Sequence, residues 1–406
     1  MSEFKKILAG YGQMDVTPFA PVHLGSFNNG MLRKSTFMKK NDRLVATTLA
    51  LTDDNGDTLL FIVTDLSWGH IEWSKKLRKI IYERYGIPGE HVQLGGVHNH
   101  SGPDWYSEAM LTPANQAYFD HWLTGVMSSV YIALEDRKSA SVYIGNTKTE
   151  GVGFVRRYFR EDGNLAGSGL QHCYVPSNSP IVRHESEADE QIQLVRFVRE
   201  GDKDILLAQW QNHGCHIGGS TMCASDWIGP MRRKVEKELG CHYFYMQGCA
   251  GNLATDSYLV EDKPLGYRRS EDHVGYEVAD AVIKAYRTRS TFRPVNGGKV
   301  QAVQQTFSEP EKNWEGEMDT LSFGDVSVVT FPVEMFDVSG MQIKAATPFE
   351  MTLMMDYSNG IHGYCPNKEA YVHGGYEVQS RGILGTAERI VKTHLDALEK
   401  LYPTRL

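Results

Sequence analysis

The sequence predicts an α/β protein in which mixed β-sheets are flanked by helices. Apolar runs with strand-like composition alternate along the chain with segments whose apolar residues recur at helical spacing. Some helical segments carry capping residues at their ends, as in Thr112-Pro113 before one helix and Gly86 after another. Hydrophobic residues make up 41% and charged residues 23% of the 406 positions, which is typical of a globular protein.

The elements are predicted in chain order, beginning with a β-hairpin. Residues 43–51 and 58–63 are apolar runs, and Asp53–Asp57 between them supplies turn chemistry. A helix follows over Ile71–Tyr85, with apolar residues on one face. The remaining predictions are a strand at 91–96, a helix at 112–134, strands at 140–144, 192–198 and 205–210, a helix at 231–239, a strand at 242–246, a helix at 273–286, strands at 299–306 and 326–331, and a helix at 383–401.

No linker or internal repeat interrupts this pattern. We therefore predict one domain over residues 1–406, or two closely packed halves. The segment 160–188 is long, polar and rich in Gly, Ser, Pro and Asn, and it is expected to be a loop. Loops of that length are usually functional lids or disordered segments.

Composition limits the partners that we expect. Lys and Arg number 42 against 50 Asp and Glu, and a net charge of −8 makes nucleic acid an unfavourable partner. No window has the ~20 apolar residues of a membrane span, the N-terminus lacks the apolar stretch of a secretory signal, and the six cysteines show no CxxC spacing. These features predict a cytoplasmic protein that acts on a small molecule away from membranes. They leave room for a homo-oligomer without determining one.

Histidines mark the candidate site. His98-Asn-His100 directly follows one predicted strand, and Asn212-His213-Gly-Cys-His216 follows another. Loops at strand ends are where α/β proteins place their sites, and imidazoles there can hold zinc or transfer a proton. Spacing alone does not choose a third ligand. A nucleotide site at Gly10-Tyr-Gly is disfavoured because the third glycine and a preceding strand are missing, and no G-x-S-x-G elbow occurs.

Five motifs then occur in a fixed order: G-Y-G-Q-M-D-V-T-P near the start, H-N-H-S-G-P at 98–103, a histidine followed by S-D over 213–226, F-Y-M-Q-G-C-A-G-N-L at 244–253, and N-G-I-H-G-Y with G-G-Y-E over 359–377. In these motifs the chain resembles the neutral, non-lysosomal ceramidases over nearly its whole length. The resemblance implies their catalytic domain, without the C-terminal immunoglobulin-like domain. It also implies zinc-dependent hydrolysis of an N-acyl amide bond.

The same resemblance assigns roles to individual residues. It implies that zinc is held by His98, His213, Glu334 and Tyr364, and that His100, Arg156 and Tyr376 act on the substrate beside it. From their places next to the motifs, we further predict Asp226 as catalytic and Arg157, Trp227, Asp256 and His216 as substrate-binding. The sequence F-V-R-R-Y does not say which arginine faces inward. Trp105 and Tyr158 also flank the motif loops and are candidates for stacking on a substrate ring.

Two departures from the ceramidase pattern bear on the reaction. Ala254 stands where those enzymes have a serine proposed to take part in catalysis, and Val155 precedes Arg156 where they have asparagine. We therefore expect a zinc hydrolase acting on a smaller, more polar substrate than ceramide. One alternative is a zinc-containing glycoside hydrolase that uses Asp226, Asp256 or Glu377 as acid and base. A second is a degenerate protein that binds without turnover.

Overall fold

The computed structural model describes residues 4–25, 33–103, 112–168, 179–257, 259, 269–312, 314–379 and 382–402. The helices are α1 (Ile71–Tyr85), α2 (Pro113–Glu135), α3 (Ile228–Leu239), α4 (Glu271–Arg287), α5 (Asp337–Ala346), α6 (Lys368–His373), α7 (Tyr376–Gln379) and α8 (Thr386–Leu401). The strands are β1 (Ile7–Asp15), β2 (Phe37–Met38), β3 (Val45–Thr52), β4 (Thr58–Thr64), β5 (Val92–Gly96), β6 (Lys138–Lys148), β7 (Phe154–Val155), β8 (Arg157–Arg160), β9 (Leu165–Ser168), β10 (Ile181–His184), β11 (Gln191–Arg199), β12 (Ile205–Trp210), β13 (Met222–Cys223), β14 (His242–Gln247), β15 (Leu253–Ala254), β16 (Phe292–Val295), β17 (Val300–Glu309), β18 (Trp314–Phe323), β19 (Val326–Thr330), β20 (Glu334–Met335), β21 (Met351–Met355) and β22 (Tyr364–Cys365).

Two mixed sheets form the core. The larger has the order β14-β12-β11-β6-β1-β3-β4-β5, with β16 paired to β6. Its pairs are antiparallel except for β12 with β14 and β4 with β5, which are parallel. The smaller sheet has the order β17-β18-β19-β21, of which β19 and β21 are parallel. The predicted class, mixed sheets flanked by helices, is confirmed.

Side-chain alternation along the strands stacks these sheets into layers. Val328 and Leu353 of the smaller sheet join the core shared with the larger sheet, whereas their neighbours Val329 and Met354 pack with α5 and α8. Because successive strand residues point to opposite faces, the smaller sheet is apolar on both sides. Helices α1 and α2 cover the far face of β3 and β4. The order of layers is thus helices, large sheet, small sheet, helices.

The N-terminal glycines serve this packing. They lie within β1, a strand that the sequence analysis did not predict, and β1 contacts α2. A Cβ at Gly12 would lie 2.0 Å from the carbonyl oxygen of Ser129 on α2. The close approach of helix and strand therefore requires glycine there, and it explains the Gly10-Tyr-Gly motif without a nucleotide.

Most predicted elements are confirmed. The hairpin forms from β3 and β4, α1 has the predicted bounds and ends at Gly86 with φ 69°, and α2 is capped by Thr112. Strands β18 and β21 and helix α5 were missed. The expectation of a loop over 160–188 is wrong for the strand residues 160, 165–168 and 181–184 of that segment, because β8, β9 and β10 pair into a three-stranded sheet. Residues 169–178 within it lie outside the described residues.

Two general features complete the description. Among the described residues, no helix combines the length and apolar character needed to cross a membrane. Within the same ranges Cys215, Cys223, Cys241, Cys249 and Cys365 are free thiols. The interpretation as one domain or two packed halves stays a prediction.

Candidate metal centre and active site

Two loops from opposite flanks of the large sheet meet at one point. His98 lies two residues after β5 and His213 three residues after β12, and five strands separate β5 from β12 in the sheet order. The sheet curves strongly, so that β12 contacts β1 and β14 contacts β3. The Nε2 atoms of His98 and His213 are consequently only 3.0 Å apart.

Hydrogen bonds fix the loop that carries His98 and His100. His98 has a left-handed backbone, with φ 58°, which is a costly conformation for a residue other than glycine. The Asn99 side chain donates to the carbonyl oxygens of Asp65 and Ala224 at 3.0 and 2.7 Å. The backbone N–H of His100 donates to the Gly214 carbonyl at 3.1 Å, which ties the two histidine loops together.

The outer nitrogens of two histidines contact backbone carbonyls. His98 Nδ1 lies 3.1 Å from Ser67 O, and His213 Nδ1 lies 2.8 Å from Ala250 O. A carbonyl only accepts, so Nδ1 carries the proton in both rings and each Nε2 directs a lone pair inward. Burial, and next the charge of Arg156, lower the pKa of His213 well below its usual value and favour the neutral ring.

A third imidazole and a carboxylate complete the cluster. His100 Nε2 lies 2.9 Å from His98 Nε2, and the candidate ligand atoms of His98, His100 and His213 all lie within 4.8 Å of one another. Glu334 Oε2 lies 3.3 Å from His98 Nε2 and 3.7 Å from His213 Nε2. Although it is buried, this oxygen has no hydrogen-bond partner among the described residues.

Tyr364 joins the same centre from the next short strand. Strands β20 and β22 pair in parallel with Glu334 opposite Tyr364. Burial, followed by the negative charge of Glu334, raises the pKa of the Tyr364 phenol well above its usual value, and Arg156 opposes this shift. The register therefore places Tyr364 beside Glu334, and its role as a metal ligand stays a prediction.

These donors fit a divalent cation. Tetrahedral ligands held at about 2.0 Å from a metal are separated by about 3.3 Å. The three distances among His98 Nε2, His213 Nε2 and Glu334 Oε2 are 3.0, 3.3 and 3.7 Å. Without a cation, inward lone pairs would repel each other and a buried carboxylate oxygen would lack a partner, which is costly.

The structure separates the two adjacent arginines. Arg156 faces the cluster, with Nη1 3.4 Å from His213 Nε2 and its guanidinium carbon 5.4 Å from the centre of the Tyr364 ring. Arg157 is fully buried behind it and bonded to Glu185, Glu377 and the Gly374 carbonyl. The predicted substrate contact of Arg157 stays untested, but the geometry favours an internal role because no part of its side chain is exposed.

Tyr376 lies next to the predicted ligands. Its ring centre is 5.4 Å from that of Tyr364, with an angle of 69° between the planes. Tyr376 is half-buried at the start of α7. It remains a predicted catalytic residue.

Asp226 and Trp227 support the His213 loop from within. Asp226 is fully buried and accepts backbone N–H bonds from His216, Ile217 and Trp227 at 3.1, 2.9 and 2.8 Å. Trp227 is also fully buried, and its indole N–H donates to the His213 carbonyl at 2.9 Å. Because these contacts occupy both side chains, the geometry favours structural roles over the predicted catalysis by Asp226 and substrate binding by Trp227.

His216 and Asp256 belong to a second polar cluster. His216 Nδ1 lies 2.8 Å from Thr255 Oγ1, and its Nε2 lies 2.6 Å from the Arg269 carbonyl oxygen. Arg269 Nε donates to Asp256 Oδ1 at 3.2 Å. The predicted substrate contacts at His216 and Asp256 thus lie within a network that joins the residue 213–226 loop to the start of α4.

The three carboxylates that a glycoside hydrolase was expected to use as acid and base are all engaged within the protein. Asp226 is bonded to three backbone amides, Asp256 to Arg269, and Glu377 to two arginines. Of the other stacking candidates, Tyr158 is buried, with its ring 4.7 Å from that of His184. Trp105 lies outside the described residues.

Sequence reasoning missed Tyr357 and Asp356. The Tyr357 ring stacks on His98 with 3.9 Å between centroids and 9° between planes. Asp356 accepts from the Met335 N–H at 3.1 Å, and burial, with Glu334 next, raises its pKa well above the usual value. The sequence offers little indication of these two residues, because an acidic and an aromatic residue shortly before Tyr364 form no recognisable motif.

The chain is an α/β protein with a buried histidine cluster, and its fold is that of the neutral ceramidases. The chain is similar to the neutral ceramidase from Pseudomonas aeruginosa, with a TM-score of 0.78, 16% identity, and 98% of this chain matched to 75% of that one. It is likewise similar to a ceramidase complexed with C2, with a TM-score of 0.76 and 16% identity over 100% of this chain and 77% of that one. No protein-family model matches the sequence.

Proposed function

We propose that this protein is a zinc-dependent hydrolase that cleaves an amide N-acyl bond in a small polar substrate. One observation carries the proposal. The inward-facing Nε2 atoms of His98 and His213 converge with the buried carboxylate oxygen of Glu334, which has no hydrogen-bond partner among the described residues, at separations suited to one metal ion. The structural similarity to ceramidases supports the choice of an amide bond.

His98, His213, Glu334 and Tyr364 would hold the ion, and a bound zinc supplies Lewis acidity and lowers the pKa of water toward ~7. His100, whose Nε2 lies 2.9 Å from His98 Nε2, is assigned the proton transfer. Arg156 and Tyr376 are assigned to the substrate oxygen on which negative charge develops. Asp226 is not assigned a chemical step.

Local chemistry supports a polar substrate. The buried Arg156 guanidinium has one amino group, Nη2, with no hydrogen-bond partner within the described ranges. A ligand that brings an oxygen to this group satisfies it, whereas a purely apolar one leaves it unpaired. Ala254 offers no hydroxyl where ceramidases are expected to have serine, which favours a substrate other than ceramide.

Metal analysis tests the proposal directly. Purified protein should contain about one zinc per chain, and His98→Ala and His213→Ala should lose both the metal and hydrolysis of N-acyl substrates. His394→Gln is the matched control, because His394 is a buried histidine on α8 that packs on Phe331. It should retain the metal.

The substrate panel should include N-acyl amides and chromogenic glycosides. Release of the acyl group from an amide supports the proposal, and turnover of glycosides alone contradicts it. Protein without stoichiometric metal, even after exposure to zinc, would also contradict it. Metal retained without any turnover would favour the binding-only alternative.

A further inference from the structure

A buried chain of alternating charges lies beside the histidine cluster. Arg156 Nε donates to Glu377 Oε1 at 2.9 Å, and Arg157 Nη1 donates to Glu377 Oε2 at 3.1 Å. Arg157 in turn donates from Nε and Nη2 to Glu185 at 2.6 and 3.0 Å. Two guanidinium groups thus alternate with two carboxylates, and their formal charges cancel.

We propose that Glu377 is a positioning residue that acts through Arg156. This inference rests on the proposed function, in which Arg156 binds the substrate oxygen. Glu377 is fully buried, and its carboxylate is shared between the two arginines. Glu377 bonds Arg156 through Nε, and Nη1 points to His213. The guanidinium also interacts with the Tyr364 phenol, while Nη2 has no hydrogen-bond partner among the described residues.

The hydrogen bond to Glu377 reduces the conformational freedom of the Arg156 side chain before a substrate binds. An arginine side chain carries about 2 kcal/mol of rotamer entropy, which must be lost if its guanidinium is to meet a substrate in one orientation. A carboxylate bonded to Nε fixes the guanidinium plane before the substrate binds. Groups fixed in advance need no reorganisation as charge develops, which is the condition for electrostatic stabilisation of a transition state.

Arg157 extends the same arrangement to Tyr376. Its Nη2 donates to the Gly374 carbonyl at 2.9 Å, just before Tyr376 and Glu377. Gly375 has φ 106°, and a Cβ there would lie 2.8 Å from Arg157 Nη1. Arg157 therefore packs against a backbone that requires glycine, and it holds the segment carrying both Tyr376 and Glu377.

The first test is Glu377→Gln in the full-length protein loaded with zinc. Loss of a charge-assisted hydrogen bond, ~1.5–3 kcal/mol, corresponds to a fall of roughly 10- to 150-fold in kcat. KM should change by less than about threefold, because the fixed orientation matters most for charge that develops in the transition state. Zinc content should stay at the wild-type level, since Glu377 contacts no predicted ligand directly.

A double-mutant cycle separates positioning from general damage. Arg156→Lys lacks the Nε that Glu377 holds, so Glu377→Gln should have little further effect in that background. Additive losses would overturn the proposal, as would an unchanged kcat in Glu377→Gln alone. If the single variant does not fold because two buried guanidinium groups then face one carboxylate, Glu185, the charge-balanced pair Glu377→Gln with Arg157→Gln replaces it.

Asp136→Asn provides the matched control. Asp136 pairs with Arg199, whose side chain is fully buried, at the end of β11 away from His213. This variant also removes the carboxylate partner of a buried arginine, but it should keep wild-type kcat. An equal loss of kcat in Asp136→Asn would show that the effect of Glu377→Gln is unspecific.

Crystal structures of the wild type and Glu377→Gln supply a readout that needs no activity. The Arg156 guanidinium should leave its place beside His213 in the variant, and an unmoved Arg156 would overturn the proposal. If the wild type hydrolyses no amide, the proposed function fails while this structural comparison still tests the role of Glu377.

Discussion

Tyr357 combines a stack on a candidate metal ligand with a buried hydroxyl, and Tyr357→Phe should therefore stabilise the protein. The side chain is fully buried, and its OH has no hydrogen-bond partner among the described residues. Burying such a group unpaired costs about 1–3 kcal/mol. Phenylalanine removes that cost and retains the ring that lies 3.9 Å from the His98 ring.

The expected change in melting temperature follows from the chain length. Unfolding entropy of about 2.1 cal/mol/K per residue, over 406 residues, means that each kcal/mol shifts Tm by about 1 °C. Tyr357→Phe should therefore raise Tm by about 1–4 °C. Differential scanning calorimetry at neutral pH, on protein freed of metal by a chelator, measures the shift.

Tyr245→Phe is the matched control for this prediction. Tyr245 is also buried, but its OH lies 3.1 Å from Trp210 O and 3.0 Å from Gln247 Oε1, so its single proton has an acceptor. Phenylalanine removes this hydrogen bond and the donor that Gln247 Oε1 receives, so Tm should fall. If Tyr357→Phe lowers Tm as Tyr245→Phe does, the Tyr357 hydroxyl has a partner and the reasoning is refuted.

Three further predictions concern stability. Burial lowers the pKa of His394 from 6.5 to about 4, so the unfolded chain binds more protons than the folded protein between these pH values. The free energy of unfolding should therefore fall by up to about 3 kcal/mol as pH drops from 6.5 to 4. In urea unfolding His394→Gln should lack this contribution, and a pH slope equal to that of the wild type would contradict the prediction. Asp226→Asn should lower Tm by about 2 °C because its hydrogen bonds to three backbone amides are weakened. The zinc content should stay unchanged, and a loss of zinc would show that Asp226 belongs to the metal centre. Gly12→Ala should cost about 3 kcal/mol in urea unfolding because α2 must shift, and an unchanged midpoint would show that the helix can move freely.

Local signals were sufficient for many of the secondary-structure predictions. Helix α1 was bounded correctly because its apolar spacing and the glycine after it are local features, and the turn at Asp53–Asp57 defined the hairpin. Strand β1 was not predicted because its glycines lower strand propensity. These glycines are required by the close approach of α2, which the sequence does not reveal. The sheet of β8, β9 and β10 was hidden by a composition typical of loops.

The site residues also fall into those that local motifs predicted and those that only the tertiary structure could assign. Motifs pointed to His98, His100 and His213, which the structure brings together. Motifs could not distinguish Arg156 from Arg157, because the two arginines are adjacent in F-V-R-R-Y. In the structure Arg156 points toward the histidines and Arg157 toward Glu185. Motifs also led us to predict chemistry for Asp226, whose carboxylate is occupied by backbone amides of its own loop.

The sequence by itself determined the α/β class, the bounds of several longer helices and strands, and the histidines worth examining, because caps, periodicity and short motifs act over a few residues. Only the tertiary structure decided which side chains meet. His98 and His213 are 115 residues apart in the chain and on opposite flanks of one sheet, yet their Nε2 atoms lie 3.0 Å apart. The curvature of that sheet depends on packing summed over many strands. No local pattern encodes it.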